Sequence, residues 1–246
     1  MRLERSLKML VTDSPRHLIS RCRCRYIVLT ILLVLLITFY MVMNLRNYGL
    51  YTGNHPLFSA QPCEYLSSKQ KDQLLSMAYT VHKILDDFGI EHWLMYGSVF
   101  GAVRAHGPLP WDNDVDIGFN GSGRFASMNF KEFLSAFESK GLKVYYKRWI
   151  TSNVMKVYSD DLPHIKVDLF AMYDYNGWMK RAGLETWIFA LNYNLHDTFP
   201  ARLVKKPLPR VRFGFFNMTV PREGIEIQKY LYPDDWWQEV KPITCV

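Results

Sequence analysis

The pattern of apolar positions separates one uninterrupted apolar run from a longer region in which apolar and polar residues alternate. Residues 26–43 contain eighteen consecutive side chains without a charge. A helix of that length rises about 27 Å, close to the roughly 30 Å hydrocarbon core of a bilayer. A soluble core helix would show a polar stripe, and a signal peptide would end in a small-x-small site; neither is visible here. The run therefore predicts a single transmembrane helix.

Beyond residue 62 the apolar spacing predicts a mixed domain. Apolar residues recur at helical spacing up to Phe88, between the capping candidates Ser67 and Ser68 and the terminating Gly89. Further helices are predicted over 130–140 and 223–231, and strands over 90–96, 115–119, 142–149, 153–158 and 165–172. This order predicts an α/β or α+β fold around a mixed sheet with flanking helices.

Charge is distributed unevenly about the apolar run. Residues 1–25 carry seven basic and two acidic side chains, whereas residues 44–62 carry Arg46 alone. The positive-inside rule then places the N-terminus in the cytosol and the rest in a lumen. We expect a type II membrane protein with a cytosolic tail (1–25), a signal anchor (26–43), a stem (44–62) and a lumenal domain (63–246). Since the tail accounts for most of the net charge of +7, no nucleic-acid partner is expected.

This topology would expose several residues to lumenal chemistry. Cys63 and Cys245 are candidates for a disulfide in an oxidising compartment, although two such distant cysteines are a weak signal. The Asn-x-Ser/Thr sequons at Asn120 and Asn217 are candidate glycosylation sites.

Polar residues on two predicted strands suggest a site. Asp114 and Asp116 alternate with Val115 and Ile117, so a strand would project both carboxylates to one face, roughly 7 Å apart. In the later strand, Lys166 and Asp168 share a polar face in the same way. If these two strands are neighbours, Asp168 completes a cluster of three carboxylates.

Three close carboxylates repel one another unless a cation neutralises them, and oxygen-only ligands favour Mg²⁺ or Mn²⁺ over zinc. A turn at Gly97-Ser98, between a strand and a helical turn, could direct backbone N–H groups and a hydroxyl at an anion. The alternative is that these aspartates lie on a solvated face or form salt bridges with nearby lysines and arginines. The combination of turn, D-x-D strand and third aspartate favours a metal site for phosphate chemistry.

Residues 92–119, HWLMYGSVFGAVRAHGPLPWDNDVDIGF, carry a glycine-serine turn, a G-A-x-R segment and a P-W-D-x-D-x-D-I-G run. This stretch closely resembles the signature of the LicD and fukutin-related family. The similarity extends more thinly through KVDLFAMY to the Tyr-Pro-Asp-Asp-Trp segment near the C-terminus. The resemblance implies a nucleotidyltransferase-like fold that uses Mg²⁺ or Mn²⁺ and a CDP-activated donor. Such an enzyme passes ribitol phosphate or phosphocholine to a glycan hydroxyl and releases CMP.

The resemblance also implies roles for individual residues. It makes Asp114, Asp116 and Asp168 metal ligands, and Gly97 and Ser98 the turn on the phosphate side. As a metal-bound carboxylate, Asp168 is a candidate to help deprotonate the incoming hydroxyl.

Four further residues are candidates for substrate binding, each with an ordinary alternative. Arg104 of the G-A-x-R segment is placed to bind diphosphate or to form a surface salt bridge. Lys156 and Lys166 could offset phosphate charge or be solvated lysines, and strand parity favours Lys166. Asp112 precedes the acidic strand and could orient a neighbouring group or cap a turn.

Two other function classes compete with this hypothesis. A GT-A type glycosyltransferase also uses a D-x-D motif with Mn²⁺ and a type II topology, but the Gly97-Ser98 turn and the late Asp168 argue against it. A catalytically silent protein that binds a partner glycosyltransferase would not be expected to keep all three carboxylates. The type II layout and the family resemblance together predict the Golgi membrane, with the endoplasmic reticulum as the alternative.

Overall fold

The computed structural model describes residues 25–40, 65–146, 154–181, 198–232 and 236–237. Two compact units divide the chain, one built mainly from residues 1–62 and the other from residues 63–241. The predicted cytosolic tail up to residue 24, the predicted stem, and the candidate disulfide between Cys63 and Cys245 lie outside the described residues.

The first unit contributes helix α1, over residues 25–40. No helix within the described ranges is both long enough and apolar enough to cross a membrane. The transmembrane helix predicted over residues 26–43 is thus not found among the described helices. Residues 41–43 of that prediction lie outside the described part of the chain.

Helix α2, Ser68–Asp87, opens the second unit and confirms the first predicted amphipathic helix. Ser67 is its N-cap and forms a capping box with Gln70, which satisfies two backbone N–H groups at the helix start. The helix ends at Phe88, followed by Gly89 with φ of 66°, a left-handed conformation that favours glycine.

A seven-stranded mixed sheet forms the centre of this unit. Its strands are β1 His92–Leu94, β2 Asp114–Asn120, β3 Lys143–Tyr146, β4 Val154–Tyr158, β5 Lys166–Tyr175, β6 Trp178–Arg181 and β7 Phe199–Pro200. The main order is β1-β2-β5-β4-β3, with β6 paired to β5 and β7 paired to β6. Strands β2 and β5 are parallel, and the other pairings are antiparallel. A separate hairpin pairs β8 Arg210–Phe213 with β9 Phe216–Thr219.

Short helical segments connect the strands. They are α3 Tyr96–Phe100, which continues as a π-helical turn Gly101–Ala105, then α4 Arg124–Ser127, α5 Phe130–Glu138, two 3₁₀ turns at Ala201–Val204 and Gly224–Ile227, and α6 Gln228–Leu231. The strand predicted over 90–96 is shorter than expected because Tyr96, at φ of 47°, starts α3. The helix predicted over 223–231 starts later than expected, because Glu223 adopts a positive φ and residues Gly224–Ile227 form a 3₁₀ turn before the helical residues Gln228–Leu231.

One face of the sheet is the core. Val115, Ile117, Val167 and Leu169 on β2 and β5 are fully buried and lie on the face that contacts α2. Because side chains alternate along a strand, the intervening residues of both strands project to the opposite face. The fold thus confirms a mixed α/β sheet with flanking helices, and it leaves the second face for polar groups.

Candidate active site

The polar face of β2 and β5 brings the three predicted aspartates together. The two strands are parallel and in register, so that Asp116 is paired with Asp168 and Asp114 with Lys166. Carboxylate oxygens of Asp114, Asp116 and Asp168 lie within 4.8 Å of one another. The prediction that the two strands are neighbours is confirmed, and the cluster has a spacing that one cation could bridge.

Lys166 lies inside this cluster. Its Nζ donates to Asp114 Oδ2 at 2.5 Å and to Asp168 Oδ2 at 2.9 Å. Burial acts to lower the pKa of Lys166, but the neighbouring Asp114 and Asp168 carboxylates raise it above its usual value overall. The salt bridges considered as the alternative to a metal site therefore form. One ammonium group nevertheless faces three carboxyl groups, so the cluster retains a negative charge when all three are ionised.

The second oxygen of Asp168 indicates what else the cluster could hold. Asp168 is 7% exposed, and its Oδ1 is buried without a hydrogen-bond partner. A buried carboxylate oxygen without a donor costs free energy, and a divalent cation would remove that cost. The ligand set is all oxygen, which suits Mg²⁺ or Mn²⁺. The residues present therefore fit the predicted metal.

The electrostatics of Asp116 agree with this interpretation. Burial of its carboxyl group, together with the charges of Asp114 and Asp168, raises the pKa of Asp116 well above the usual value for aspartate. Lys166 opposes this effect only in part. A carboxylate that is costly to ionise becomes easier to ionise when a cation binds beside it.

The Gly97-Ser98 turn positions the acidic strand. Ser98 is 2% exposed, and its Oγ accepts a hydrogen bond from the backbone N–H of Asp116 at 2.9 Å. This contact attaches α3 to β2, and the predicted position of the Ser98 hydroxyl beside a phosphate stays a prediction. A Cβ on Gly97 would lie 3.4 Å from Asp112 Oδ2, so the Asp112 carboxylate packs directly over the turn. Asp112 also contributes to the raised pKa of Asp116.

Two other candidate substrate-binding residues lie in different surroundings. Lys156, on β4, is exposed and is the register partner of Asp168, next to the cluster on the polar face. Arg104, on the π-helical turn, stacks over Phe100 at 4.6 Å and donates to the Trp237 carbonyl oxygen at 3.5 Å. Lys156 is thus beside the carboxylates, whereas the contacts of Arg104 connect its turn to the C-terminal aromatics.

The glycine of the acidic motif has a packing role. A Cβ on Gly118 would lie 2.3 Å from Met95 Sδ and 2.7 Å from Trp93 Nε1. Gly118 lies on the same face of β2 as Asp114 and Asp116. The side chains of Trp93 and Met95 therefore cover the sheet directly beside the carboxylates. This close approach explains why the run ends in Asp-Ile-Gly.

A second group of potential ligands, His82, Asp86 and His92, has a different explanation. His92 Nδ1 donates to the Ile90 carbonyl oxygen at 2.8 Å, which leaves its Nε2 to accept from His82 Nδ1 at 2.6 Å. His82 Nε2 then accepts from the Arg210 guanidinium at 3.1 Å. All four ring nitrogens are engaged, one of them by the guanidinium of Arg210. We therefore interpret this group as a hydrogen-bond network between α2, β1 and β8.

Burial keeps this histidine pair neutral. Desolvation, followed by the influence of His92, lowers the pKa of His82 to about 4. Desolvation is also the main cause of the lowered pKa of His92.

The two sequons differ in exposure. Asn120 is half-buried at the end of β2, where its Oδ1 accepts from the backbone of Ser122 at 3.0 Å. Asn217 is exposed on β9, and Thr219 of its sequon donates to the His92 carbonyl oxygen at 2.5 Å. Both remain candidate glycosylation sites, with Asn217 the more accessible.

The sequence reasoning missed two groups on the polar face. Tyr96 and Arg181 both pack on Phe170, with the Tyr96 ring at 4.9 Å and the guanidinium at 5.1 Å from it. Strand parity places Phe170 on the face of Asp168 and could have indicated an aromatic contact there, but the positive φ of Tyr96 has no sequence signal.

The second missed group is Tyr145 on β3, the register partner of Lys156. Its position follows from strand parity once the strand order is known.

Comparison with known proteins agrees with this geometry. The LicD/FKTN/FKRP nucleotidyltransferase domain matches residues 89–223, which include the turn, the acidic strand and the strand of Asp168. The chain belongs to the LicD/FKTN/FKRP family.

Members of this family differ widely from the chain in length. The mouse ribitol 5-phosphate transferase FKRP is 28% identical over 140 residues, which cover 56% of this chain and 26% of FKRP. The mouse ribitol-5-phosphate transferase FKTN is 27% identical over 106 residues, 43% of this chain and 21% of FKTN. An uncharacterised protein of Rickettsia prowazekii is 25% identical over 173 residues, 69% of this chain and 57% of that protein. The chain thus spans about a quarter of the length of FKRP.

Among solved structures, the antibiotic-resistance factor ANT(2'')-Ia is similar with a TM-score of 0.34 and 14% identity. The match covers 46% of this chain and 54% of that one.

Proposed function

We propose that this protein is a metal-dependent transferase that moves a phospho-alcohol group from a CDP-linked donor to a glycan hydroxyl. The observation that supports it most directly is the register pairing of Asp116 with Asp168, beside Asp114, with Asp168 Oδ1 buried and lacking a donor. Membership of a family that includes two ribitol-5-phosphate transferases supports the phospho-alcohol class. The donor, the acceptor and the use of a metal are parts of this proposal.

The carboxylates of Asp114, Asp116 and Asp168 would hold Mg²⁺ or Mn²⁺. The bound metal supplies a positive charge that polarises the transferring phosphate and neutralises negative charge as it develops. Lys166, which already contacts two of the carboxylates, limits their repulsion before the metal arrives. Lys156, exposed and paired with Asp168 in the sheet, is placed to contact a phosphate held beside the cluster.

Asp168 has a second proposed role. Asp168 is the least exposed of the three residues, with one carboxylate oxygen engaged by Lys166 and the other free of a hydrogen-bond donor. We place the incoming glycan hydroxyl on its side of the cluster, where the carboxylate would help remove the proton. An Asp168→Asn variant that retains metal binding and turns over at the wild-type rate would exclude this role.

The type II topology, the Golgi membrane and an association with partner glycosyltransferases stay predictions from the sequence. Immunofluorescence of the full-length chain against Golgi and endoplasmic reticulum markers tests the compartment. Protease protection of a C-terminal tag tests the side of the membrane.

The proposed activity is testable with nucleotide release. The full-length chain is incubated with Mn²⁺ and, separately, with CDP-ribitol, CDP-choline and several UDP-sugars, with an Asp114→Ala, Asp116→Ala double variant as the control. The proposal expects metal-dependent release of CMP that the double variant lacks. Release of UDP would instead support the GT-A type glycosyltransferase.

A folded protein that binds the metal but releases no nucleotide with any donor, even with glycan acceptors present, would contradict the proposed activity. That result would favour the catalytically silent partner protein. Circular dichroism of the double variant ensures that loss of release reflects loss of the carboxylates and not loss of the fold.

A further inference from the structure

A row of four side chains crosses the polar face of the sheet at one level. Asp116 on β2 is paired with Asp168 on β5, Asp168 with Lys156 on β4, and Lys156 with Tyr145 on β3. Register partners on adjacent strands project to the same face. The row therefore runs from the carboxylates through a lysine to an aromatic ring.

The alternation along β3 confirms which face Tyr145 occupies. The next residue, Tyr146, packs its ring on Phe130 of α5 at 5.3 Å, on the helix-covered face of the sheet. Tyr145 must then project to the opposite face of the sheet. The residue is 46% exposed to solvent. Lys156 beside it is exposed as well. This part of the row is an accessible surface that adjoins the carboxylates.

The spacing of the row matches the parts of a nucleotide. Neighbouring strands are about 4.8 Å apart, so Tyr145 lies about two strand spacings, roughly 10 Å, from Asp168. A diphosphate at the carboxylates and Lys156 would have its ribose and base extending along the row by a comparable length. The charges are also complementary, since a divalent cation and an ammonium group would face the phosphates, and a π surface would face the base.

We infer that Tyr145 is the base-binding residue of this site, with its ring stacked on the base of a nucleoside diphosphate whose phosphates lie at Lys156 and the three aspartates. This inference rests on the proposed function, because it assigns a position to the donor of that reaction. Tyr145 contributes affinity through its ring and takes no part in the chemistry. It is therefore a substrate-binding and positioning residue, distinct from the catalytic aspartates.

Equilibrium binding separates the ring from the phosphates. The full-length chain is titrated with CDP and, separately, with inorganic pyrophosphate, both in the presence of Mg²⁺, by isothermal calorimetry. Tyr145→Ala is expected to weaken CDP binding by about 5- to 140-fold, the range that stacking of one base contributes, and to leave pyrophosphate binding unchanged. Tyr145→Phe keeps the ring and should retain CDP affinity. Lys156→Ala should weaken both ligands.

Tyr175 offers a matched control, because it is an exposed tyrosine (52%) at the far end of β5. Tyr175→Ala should bind both ligands as the wild type does, and thermal melts should show both alanine variants folded.

Equal loss of CDP and pyrophosphate affinity in Tyr145→Ala, or no loss of either, would overturn the inference while the proposed function stands. Failure of the wild type to bind either ligand with Mg²⁺ would contradict the proposed function and the inference together.

Discussion

Asp116 and Asp168 occupy paired positions on the parallel strands β2 and β5, and Ser98 holds the first of them by accepting a hydrogen bond from its backbone N–H. Parallel pairing in register places both carboxylates on one face of the sheet. The geometry of the site therefore depends on the rigid centre of the sheet. This arrangement suits a site whose carboxylates must be held in position before a metal ion binds.

Replacement of Lys166 tests whether the cluster needs a cation. Lys166→Met keeps the length of the side chain but removes the charge that faces Asp114 and Asp168. With a chelator present to remove metal ions, the free energy of unfolding of Lys166→Met should be about 1–2 kcal/mol lower than that of the wild type. This value lies between those for surface and buried ion pairs. Saturating Mn²⁺ should restore it, because a ligand that binds only the folded state stabilises that state.

Denaturant titrations with and without Mn²⁺ provide this measurement. Lys143→Met is the matched control, since Lys143 pairs with Asp160 on the exposed surface, and neither its stability nor its response to Mn²⁺ should change appreciably. If Mn²⁺ stabilises Lys166→Met no more than it stabilises the control, the cluster does not bind a cation in place of the ammonium group.

Ser98 is expected to act through the position of β2. Ser98→Ala leaves the Asp116 N–H without its acceptor, and an unsatisfied buried donor costs about 1–3 kcal/mol of unfolding free energy. Metal affinity should fall as well, because Asp116 is no longer held. Ser139→Ala removes a comparable hydroxyl that donates to Ala136 on the exposed surface, and should have little effect. Equal stability of the two variants in urea would show that the Ser98 contact does not position the strand.

Acid should destabilise the protein through the buried histidine pair. The pKa of His82 is about 4 in the folded protein against its usual value of 6.5, so between these two pH values the unfolded chain binds the proton more tightly. Stability is then fully present above pH 6.5 and is lost as the pH falls towards 4, at about 1.4 kcal/mol for each unit of pKa difference. Asp86 opposes this shift, whereas Arg210 and Lys83 reinforce it.

A comparison with His82→Gln isolates this contribution from that of Asp116, whose raised pKa acts in the opposite direction. Urea titrations from pH 7.5 to pH 4.5 should give a steeper loss of stability for the wild type than for the variant. Parallel profiles for the two proteins would mean that His82 does not carry the pH dependence.

The sequence predicts the acidic site well because alternation in a strand is a local property. The parity of Asp114 and Asp116, and of Lys166 and Asp168, follows from each strand alone. The parallel pairing of these two strands is a tertiary feature that neither segment encodes by itself. From the sequence, the three-carboxylate cluster could be predicted only on the condition that the strands are neighbours. The helix at Ser68–Asp87 was predictable for the same local reason, with its cap and terminating glycine nearby in sequence.

Other features depended on contacts that no local pattern records. The hydrogen bond that Ser98 accepts from β2 is one such contact, and the strand before Ser98 is short because Tyr96 adopts a left-handed conformation. The helix predicted over 223–231 starts late for a similar reason, because Glu223 adopts a positive φ. The position of Tyr145 near the carboxylates follows from the strand order, in which β3 lies beside β4 and β4 lies beside β5. A local sequence pattern does not contain that order.

Binding of Mn²⁺ to the metal-free, full-length chain tests the central claim most directly. Electron paramagnetic resonance counts free Mn²⁺ during a titration of the wild type, Asp116→Asn, Asp168→Asn and, as a control, Asp160→Asn. We predict one saturable site in the wild type and in Asp160→Asn, weakened by at least about tenfold in the other two, which lose a ligand charge. A wild-type chain without saturable binding, or variants at Asp116 and Asp168 that bind as tightly as the control, would contradict a metal site at these carboxylates.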